Sequence, residues 1–125
     1  MNKKILIVED ELILLQALSL KLKEENFEVL NAHDGLEGLE MAEKYLPDLI
    51  LLDIYMPKMD GLTMLEKVRS TPWGKDIPVI ILTNSNGKEK LAEALSHWVF
   101  RYLVKSDWDL EQIVEKIKEG LNEKK

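Results

Sequence analysis

Short apolar runs that alternate with helical patterns constrain this chain more than any other feature. The runs KILIV, LILL, VIIL and YLV each end at a polar residue, and stretches with the helical spacing of apolar residues separate them. Runs of this kind, bounded by helices, are typical of strands that are buried on both faces of a parallel sheet. The alternation therefore predicts an α/β domain with a parallel sheet and helices on both faces.

The same patterns predict five strands and five helices. We expect strands at about Lys4–Val8, Phe27–Leu30, Asp48–Leu52, Pro78–Leu82 and Phe100–Val104. We expect helices at about Leu12–Glu24, from the cap Asp34 to Tyr45, Leu62–Ser70, Lys88–Ser96 and from the cap Asp109 to Leu121. A length of 125 residues without an internal linker predicts a single domain over residues 1–125.

Residues with chemically useful side chains follow four of the predicted strands. Glu9 and Asp10 follow the first strand, Asp53 the third, Thr83 the fourth and Lys105 the fifth. Ligands of open parallel sheets bind just beyond the carboxyl ends of the strands. The sequence therefore predicts that three carboxylates, a hydroxyl and an ammonium share one rim of the sheet. This arrangement suits a divalent cation and a phosphoryl group.

The three carboxylates predict a magnesium site. If the first and third strands are neighbours, their ends lie about 5 Å apart, and three carboxylates at that range repel one another. A hard divalent cation removes this conflict, and Mg²⁺ favours oxygen ligands. The sequence contains no cysteine and only two histidines, so it lacks the residues expected of a zinc site.

Charge and composition narrow the possible partners. A formal net charge of −6 lacks the basic character of a nucleic-acid-binding surface, so we expect no direct contact with nucleic acid. The basic start MNKK precedes only a short apolar run, too brief for a signal peptide. No stretch approaches the ~20 apolar residues of a membrane span. We therefore expect a soluble cytoplasmic protein without membrane contact.

Four stretches of the chain resemble the receiver domain of bacterial response regulators, the CheY-like family. They are ILIVEDE (Ile5–Glu11), PDLILLDIYMPKMDG (Pro47–Gly61), IPVIILT (Ile77–Thr83) and YLVK (Tyr102–Lys105), in the family order. The resemblance covers essentially the whole chain. It implies a flavodoxin-like (βα)5 fold whose parallel sheet has the strand order 2-1-3-4-5. It also implies a phosphoacceptor switch of a two-component, or phosphorelay, signalling system.

The resemblance implies a role for each acidic residue at the rim. In that family the aspartate after the third strand, which is Asp53 in this sequence, accepts a phosphoryl group from a histidine kinase or phosphotransfer protein. The implied cofactor is Mg²⁺, with Glu9, Asp10, Asp53 and the backbone carbonyl of Tyr55 as ligands. A carboxylate is a competent nucleophile towards phosphorus when a metal screens the incoming negative charge.

The family also implies how the phosphorylated state is transmitted. Thr83 would turn inward to donate to a phosphoryl oxygen, and Lys105 would pair with the phosphoryl group. Tyr102 would fill the vacated space and reshape the face of the fourth helix, fifth strand and fifth helix. That face would engage a downstream effector protein or domain, or a second copy in a homodimer. Such a protein partly catalyses its own phosphorylation and dephosphorylation, but it is not an enzyme with a diffusible product.

Three features depart from the family pattern. Asn84 follows Thr83, where Ala or Gly is common, and we expect it to alter the lifetime or access of the phosphoryl group. Ser106 follows Lys105, where Pro usually gives a cis peptide. A cis bond before serine costs about 2.5–4 kcal/mol, so we expect a trans bond with a shifted Lys105, or a strained cis bond. The bulky stretch 97–100 predicts either a locally repacked core or an apolar patch on the signalling face.

Three other functions remain open at this point. A receiver fold that no longer takes phosphate would serve as an interaction module. A Mg²⁺-dependent phosphohydrolase with Asp53 as its nucleophile usually carries a second aspartate two residues later, where this chain has Tyr55. A flavodoxin-like FMN carrier needs a phosphate-binding loop rich in Ser, Thr or Gly after the first strand, where this chain has EDEL.

Overall fold

Five strands alternate with five helices in the computed structural model, which describes residues 2–84 and 91–122. The elements in chain order are β1 (Lys4–Val8), α1 (Leu12–Glu24), β2 (Glu28–Ala32), α2 (Gly35–Tyr45), β3 (Leu49–Leu52), α3 (Gly61–Arg69), β4 (Val79–Thr83), α4 (Leu91–Leu95), β5 (Arg101–Val104) and α5 (Leu110–Asn122). A 3-10 turn, Lys105–Asp107, connects β5 to α5.

The strands form one parallel sheet in the order β2-β1-β3-β4-β5. The structure confirms the α/β class predicted from the sequence pattern and the flavodoxin-like strand order implied by the family resemblance. In the register of the central pair, Val8 lies opposite Leu52. The carboxyl ends of β1 and β3 therefore meet at the same level, which places the residues that follow them side by side.

Alternation along the strands divides the apolar residues between two cores. One core packs beneath α2, α3 and α4, and Leu6, Ile50 and Ile81 contribute to it. The other packs beneath α1 and α5, and Ile7 and Leu51 contribute to it. All four residues of β3 and all five of β4 are buried. Burial on both faces explains why these strands read as uninterrupted apolar runs.

Aspartates begin three of the helices. Asp34 Oδ1 accepts a hydrogen bond from a first-turn N–H of α2, and Asp60 Oδ1 does the same for α3, each at 2.8 Å. Asp109 and Gln112 cap α5 reciprocally, with N–H to side-chain oxygen distances of 2.8 and 2.9 Å. These bonds satisfy N–H groups that have no partner within the helix. The caps Asp34 and Asp109 confirm the sequence predictions, whereas the cap Asp60 was not predicted.

The β2 boundaries differ most from expectation. β2 begins one residue later and ends two residues later than predicted, at Glu28–Ala32. The N–H of Phe27 donates to the carbonyl oxygen of Leu22 (3.1 Å) and so completes the end of α1. Asn26 has a φ of 70°, and this left-handed conformation is common after helices.

The other boundaries agree with expectation within one residue, except at the start of α4. The described part of α4 is Leu91–Leu95, and the predicted start at Lys88 lies outside the described residues. Within residues 2–84 and 91–122, none of the helices has the length and apolar character needed to cross a membrane.

Candidate functional site

Three carboxylates meet where β1 and β3 end. Glu9 and Asp10 follow β1, Asp53 follows β3, and one oxygen of each lies within 4.8 Å of the other two. Glu9 and Asp53 are only 2% and 4% exposed, whereas Asp10 is exposed. A set of hard oxygen donors, partly buried and open to water on one side, fits Mg²⁺, which keeps several waters in its coordination shell.

Backbone hydrogen bonds fix the positions of these carboxylates. The N–H of Asp53 donates to the carbonyl oxygen of Val8 (3.0 Å), and the N–H of Glu9 donates to that of Ala32 (3.0 Å). These bonds continue the parallel ladders one residue past the strands. The N–H of Ile54 donates to Asp53 Oδ1 (2.8 Å), which orients the carboxylate. The sheet therefore determines the spacing of the acidic residues before any ligand binds.

Crowded negative charge changes the proton affinity of the site. Burial, with a further contribution from the charge of Glu9, raises the pKa of the Asp53 carboxyl from 3.8 to about 7, although Lys105 opposes the change. Burial also raises the pKa of Glu9. A cation bound between these groups would replace the proton as the compensating positive charge.

Lys105 closes the site from the side of β5. Its Nζ lies 2.6 Å from Glu11 Oε2, 3.0 Å from Glu9 Oε1 and 3.5 Å from Asp53 Oδ2, and its side chain is 13% exposed. Burial lowers the pKa of the ammonium, but the hydrogen bond to Glu11 and the charges of Asp53 and Glu9 outweigh this effect and raise the pKa overall. The sequence predicts Lys105 at this rim but gives no reason to select the exposed Glu11 as its partner.

The Lys105–Ser106 peptide is trans, since the described residues contain no cis peptide bond. This agrees with the first of the two expectations for Ser106. A shift of Lys105 stays a prediction, and the Lys105 Nζ lies 3.5 Å from Asp53 Oδ2.

Thr83 and Tyr102 lie on one face of the sheet, on the adjacent strands β4 and β5. Thr83 is fully buried, and its Oγ1 has no hydrogen-bond partner among the described residues. Tyr102 lies opposite Ile81 in the register and is half-buried against the core beneath α2, α3 and α4. A buried hydroxyl without a partner costs about 1–3 kcal/mol. Thr83 is therefore placed to gain from an acceptor that enters at the rim.

Two further predicted positions flank the site. Tyr55 lies in the loop after β3 with its side chain 41% exposed, and the role of its carbonyl as a metal ligand stays a prediction. Asn84 directly follows Thr83 and is exposed.

The stretch 97–100 combines features of both predicted alternatives. Val99 and Phe100 are half-buried, each against a different core. Trp98 is 40% exposed, so an apolar side chain does remain at the surface between α4 and β5.

Arg69, at the end of α3, holds this stretch in place. Its Nε and Nη2 donate to the carbonyl oxygen of Trp98 (3.1 and 2.6 Å), and its Nη1 donates to that of Gly74 (2.7 Å). The guanidinium carbon also lies 5.1 Å from the centroid of the Trp98 ring. Burial lowers the pKa of Arg69 to about 10. Sequence reasoning missed this residue, because a basic side chain in the last turn of a helix usually points into water.

Comparisons with known proteins agree with the geometry. The chain matches the response regulator receiver domain over residues 5–118. It is 38% identical over 105 residues to the response regulator PleD of Caulobacter vibrioides, covering 84% of this chain and 23% of that protein. It is 35% identical over 115 residues to the response regulator ArlR of Staphylococcus aureus, covering 92% of this chain and 51% of that protein. The chain thus spans about a quarter to a half of the length of these relatives.

Solved structures give the same result for the fold. A CheY-like response regulator receiver domain protein from Methanospirillum hungatei is 31% identical, with a TM-score of 0.91 over 99% of this chain and 97% of that chain. A putative response regulator from Chloroflexus aurantiacus is 29% identical, with a TM-score of 0.89 over 98% and 99% of the two chains. On the evidence of sequence and fold together, this chain belongs to the response regulator receiver domain family of two-component signalling systems.

Proposed function

We propose that this chain is a cytoplasmic phosphoacceptor switch, in which Asp53 receives a phosphoryl group from a histidine kinase or phosphotransfer protein in a Mg²⁺-dependent reaction. The observation that carries the proposal is the convergence of Glu9, Asp10 and Asp53 at one sheet edge, with oxygens within 4.8 Å of one another. Two of these carboxylates are buried, which is unfavourable unless a function or a counter-charge maintains it.

The residues at the rim would have different roles in phosphoryl transfer. An oxygen of Asp53 forms the new bond to phosphorus while the bond from phosphorus to the donor nitrogen breaks and the imidazole leaves. Glu9, Asp10, Asp53 and the Tyr55 carbonyl would hold Mg²⁺, which supplies positive charge against the incoming phosphoryl oxygens. Lys105 would supply a second positive charge from the end of β5, as a compact ammonium suited to a phosphate oxygen.

Thr83 and Tyr102 would transmit the phosphorylated state from the site to the surface of the domain. Phosphorylation adds about −1.5 to −2 charge at pH 7, and the Thr83 hydroxyl, which has no partner among the described residues, would donate to one of the new oxygens. The movement would open space on the face of the sheet that Tyr102 shares, and so alter the surface of α4, β5 and α5. Leu95 and Trp98 are 58% and 40% exposed in this region. Such apolar groups suit an effector protein or domain, or a second copy of the chain.

The residues around the site disfavour the competing enzyme and carrier functions. A phosphohydrolase of this layout would need a carboxylic acid as general acid two residues after the nucleophile, where the chain has Tyr55. An FMN carrier would need N–H and hydroxyl donors after β1, where Glu9, Asp10 and Glu11 would repel a phosphate.

Replacement of Asp53 by asparagine tests the proposal directly. Wild-type protein with Mg²⁺ and acetyl phosphate is expected to gain the mass of one phosphoryl group, and Asp53→Asn is expected to gain none. The control is Asp48→Asn, which changes an aspartate at the other end of the β3 segment and keeps an oxygen that can accept from the Lys4 N–H. Intact-protein mass spectrometry followed by peptide mapping gives the answer. A wild-type protein that stays unmodified, or carries the group elsewhere, would favour a receiver fold that no longer takes phosphate.

Asn84 is expected to slow loss of the phosphoryl group, because its side chain is larger than the Ala or Gly common at this position and crowds the attacking water. Asn84→Ala should therefore raise the dephosphorylation rate by about threefold or more, a change on the order of 1 kcal/mol in the barrier. The rate is measured by the decay of phosphorylated protein after the donor is removed. Asn122→Ala, at the far end of α5, is the matched control. Equal decay rates in wild type and Asn84→Ala would contradict the expectation.

A further inference from the structure

The shortest ion pair at the rim involves none of the predicted metal ligands. Lys105 Nζ lies 2.6 Å from Glu11 Oε2, compared with 3.0 Å to Glu9 Oε1 and 3.5 Å to Asp53 Oδ2. An ammonium has three N–H donors on one nitrogen. The closest contact therefore engages Glu11, and not the residue that would carry the phosphoryl group.

The position of Glu11 leaves its carboxylate free for this contact. Glu11 is the N-cap of α1, where a short polar side chain usually accepts from a helix N–H, yet its side chain makes no capping hydrogen bond. The backbone of Glu11, and not its side chain, makes the local hydrogen bonds: its carbonyl oxygen accepts from the Leu15 N–H (2.9 Å), and its N–H donates to Glu9 Oε2 (3.0 Å). Replacing the Glu11 carboxylate by an uncharged group therefore removes no capping hydrogen bond from α1.

Exposure distinguishes the two glutamates that hold Lys105. The Glu11 side chain is 54% exposed, so water can solvate its carboxylate when the ion pair opens. The Glu9 side chain is 2% exposed, and its carboxylate would lose a buried partner if Lys105 left it. When Lys105 turns towards a new anion on Asp53, Glu11 is the partner that can be released at the lower cost.

We infer that Glu11 is a positioning residue that competes with the phosphoryl group for the Lys105 ammonium. The inference rests on the proposed phosphoacceptor function. In the unphosphorylated protein Glu11 holds Lys105 towards α1. In the phosphorylated protein Lys105 exchanges Glu11 for a phosphoryl oxygen, so Glu11 weakens the binding of that group and biases the switch towards its resting state.

Affinity for beryllofluoride, a phosphoryl analogue, measures this competition. With saturating Mg²⁺, Glu11→Gln is expected to lower the dissociation constant by about fivefold, as followed by tryptophan fluorescence. The control is Glu43→Gln, which removes the same charge from an exposed residue of α2 that forms no ion pair among the described residues. It should change the dissociation constant for beryllofluoride by less than about twofold. An unchanged constant in Glu11→Gln would overturn the inference.

A double variant separates competition from simple repulsion, because Glu11 also repels any anion. In Lys105→Met there is no ammonium to release, so adding Glu11→Gln should change the affinity by less than about twofold. An equal gain in the wild-type and Lys105→Met backgrounds would show that Glu11 acts by repulsion alone, and would overturn the inference.

A metal-free measurement separates failure of this inference from failure of the proposed function. The paired ammonium of Lys105 is expected to give a ¹H–¹⁵N NMR signal protected from solvent exchange, assigned by its loss in Lys105→Met. Glu11→Gln should speed that exchange several-fold, and an unchanged rate would overturn the inference even if wild-type protein binds beryllofluoride. If the ion pair is present but wild-type protein binds no beryllofluoride, the phosphoacceptor function fails and the competition fails with it.

Discussion

Metal-free protein is expected to lose stability as the pH rises from about 4 to about 7, and Mg²⁺ is expected to restore it. The native Asp53 carboxyl holds its proton up to about pH 7, whereas the unfolded chain releases it near 3.8. Between these values the native state binds more protons, so the free energy of unfolding falls as the pH rises. Burial of Glu9 acts in the same direction. The loss should be on the order of a few kcal/mol, or roughly 10 °C in Tm.

Thermal unfolding at several pH values, with chelator or with Mg²⁺, measures this effect. Mg²⁺ at about 100 times its dissociation constant should return about 2.7 kcal/mol at pH 8. Asp53→Asn, which cannot ionise, should remove most of the pH dependence and make the metal-free protein more stable than wild type at pH 8. The same slope in both proteins would mean that Asp53 does not hold a proton in the native state.

Gly61→Ala is expected to destabilise the protein by about 3 kcal/mol or more and to weaken Mg²⁺ binding. A Cβ on Gly61 would lie 2.0 Å from the carbonyl oxygen of Asp53 and 2.9 Å from its carbonyl carbon. Both obstacles are backbone atoms, and the Asp53 N–H is itself fixed to Val8 by a 3.0 Å hydrogen bond. Relief of the clash therefore requires the loop after β3 to move, together with the carboxylate that it positions.

Gly120→Ala is the matched control. Its Cβ would meet the end of the Leu49 side chain at 2.8 Å and the Phe100 ring at 3.2 Å, and these groups can shift without moving backbone. Alanine is also favoured over glycine within a helix by about 1 kcal/mol. Urea unfolding and Mg²⁺ titration of both variants provide the comparison. A Gly61→Ala variant as stable as Gly120→Ala, with full Mg²⁺ affinity, would contradict the proposed role of this close approach.

The acidic cluster was predictable because it depends on only two facts about the chain. Apolar runs locate β1 and β3, and the strand order that the family resemblance implies makes them neighbours, so the residues that follow them meet at one edge. Neither step requires knowledge of a side-chain conformation. The convergence of Glu9, Asp10 and Asp53 follows from strand geometry, and the structure places their oxygens within 4.8 Å of one another.

The contacts that sequence reasoning missed depend on long, flexible side chains. Lys105 reaches Glu11 across 94 positions of sequence, and Arg69 reaches the Trp98 carbonyl across 29. Each has several rotatable bonds, and the choice among its rotamers depends on tertiary neighbours that no local pattern specifies. The start of β2 was predicted one residue too early for a different reason, since the N–H of Phe27 donates to the carbonyl oxygen of Leu22 in α1 although the local pattern predicts a strand.

The strand order gives the proposed phosphoacceptor chemistry and the proposed output different structural surroundings. The carboxylates follow β1 and β3, which are paired on both sides, whereas Tyr102 lies on β5, at the margin of the sheet. Substitutions along β5 therefore disturb one ladder and leave the framework of the cation pocket in place. The proposed output surface can thus change its partner specificity while the acidic cluster stays unchanged.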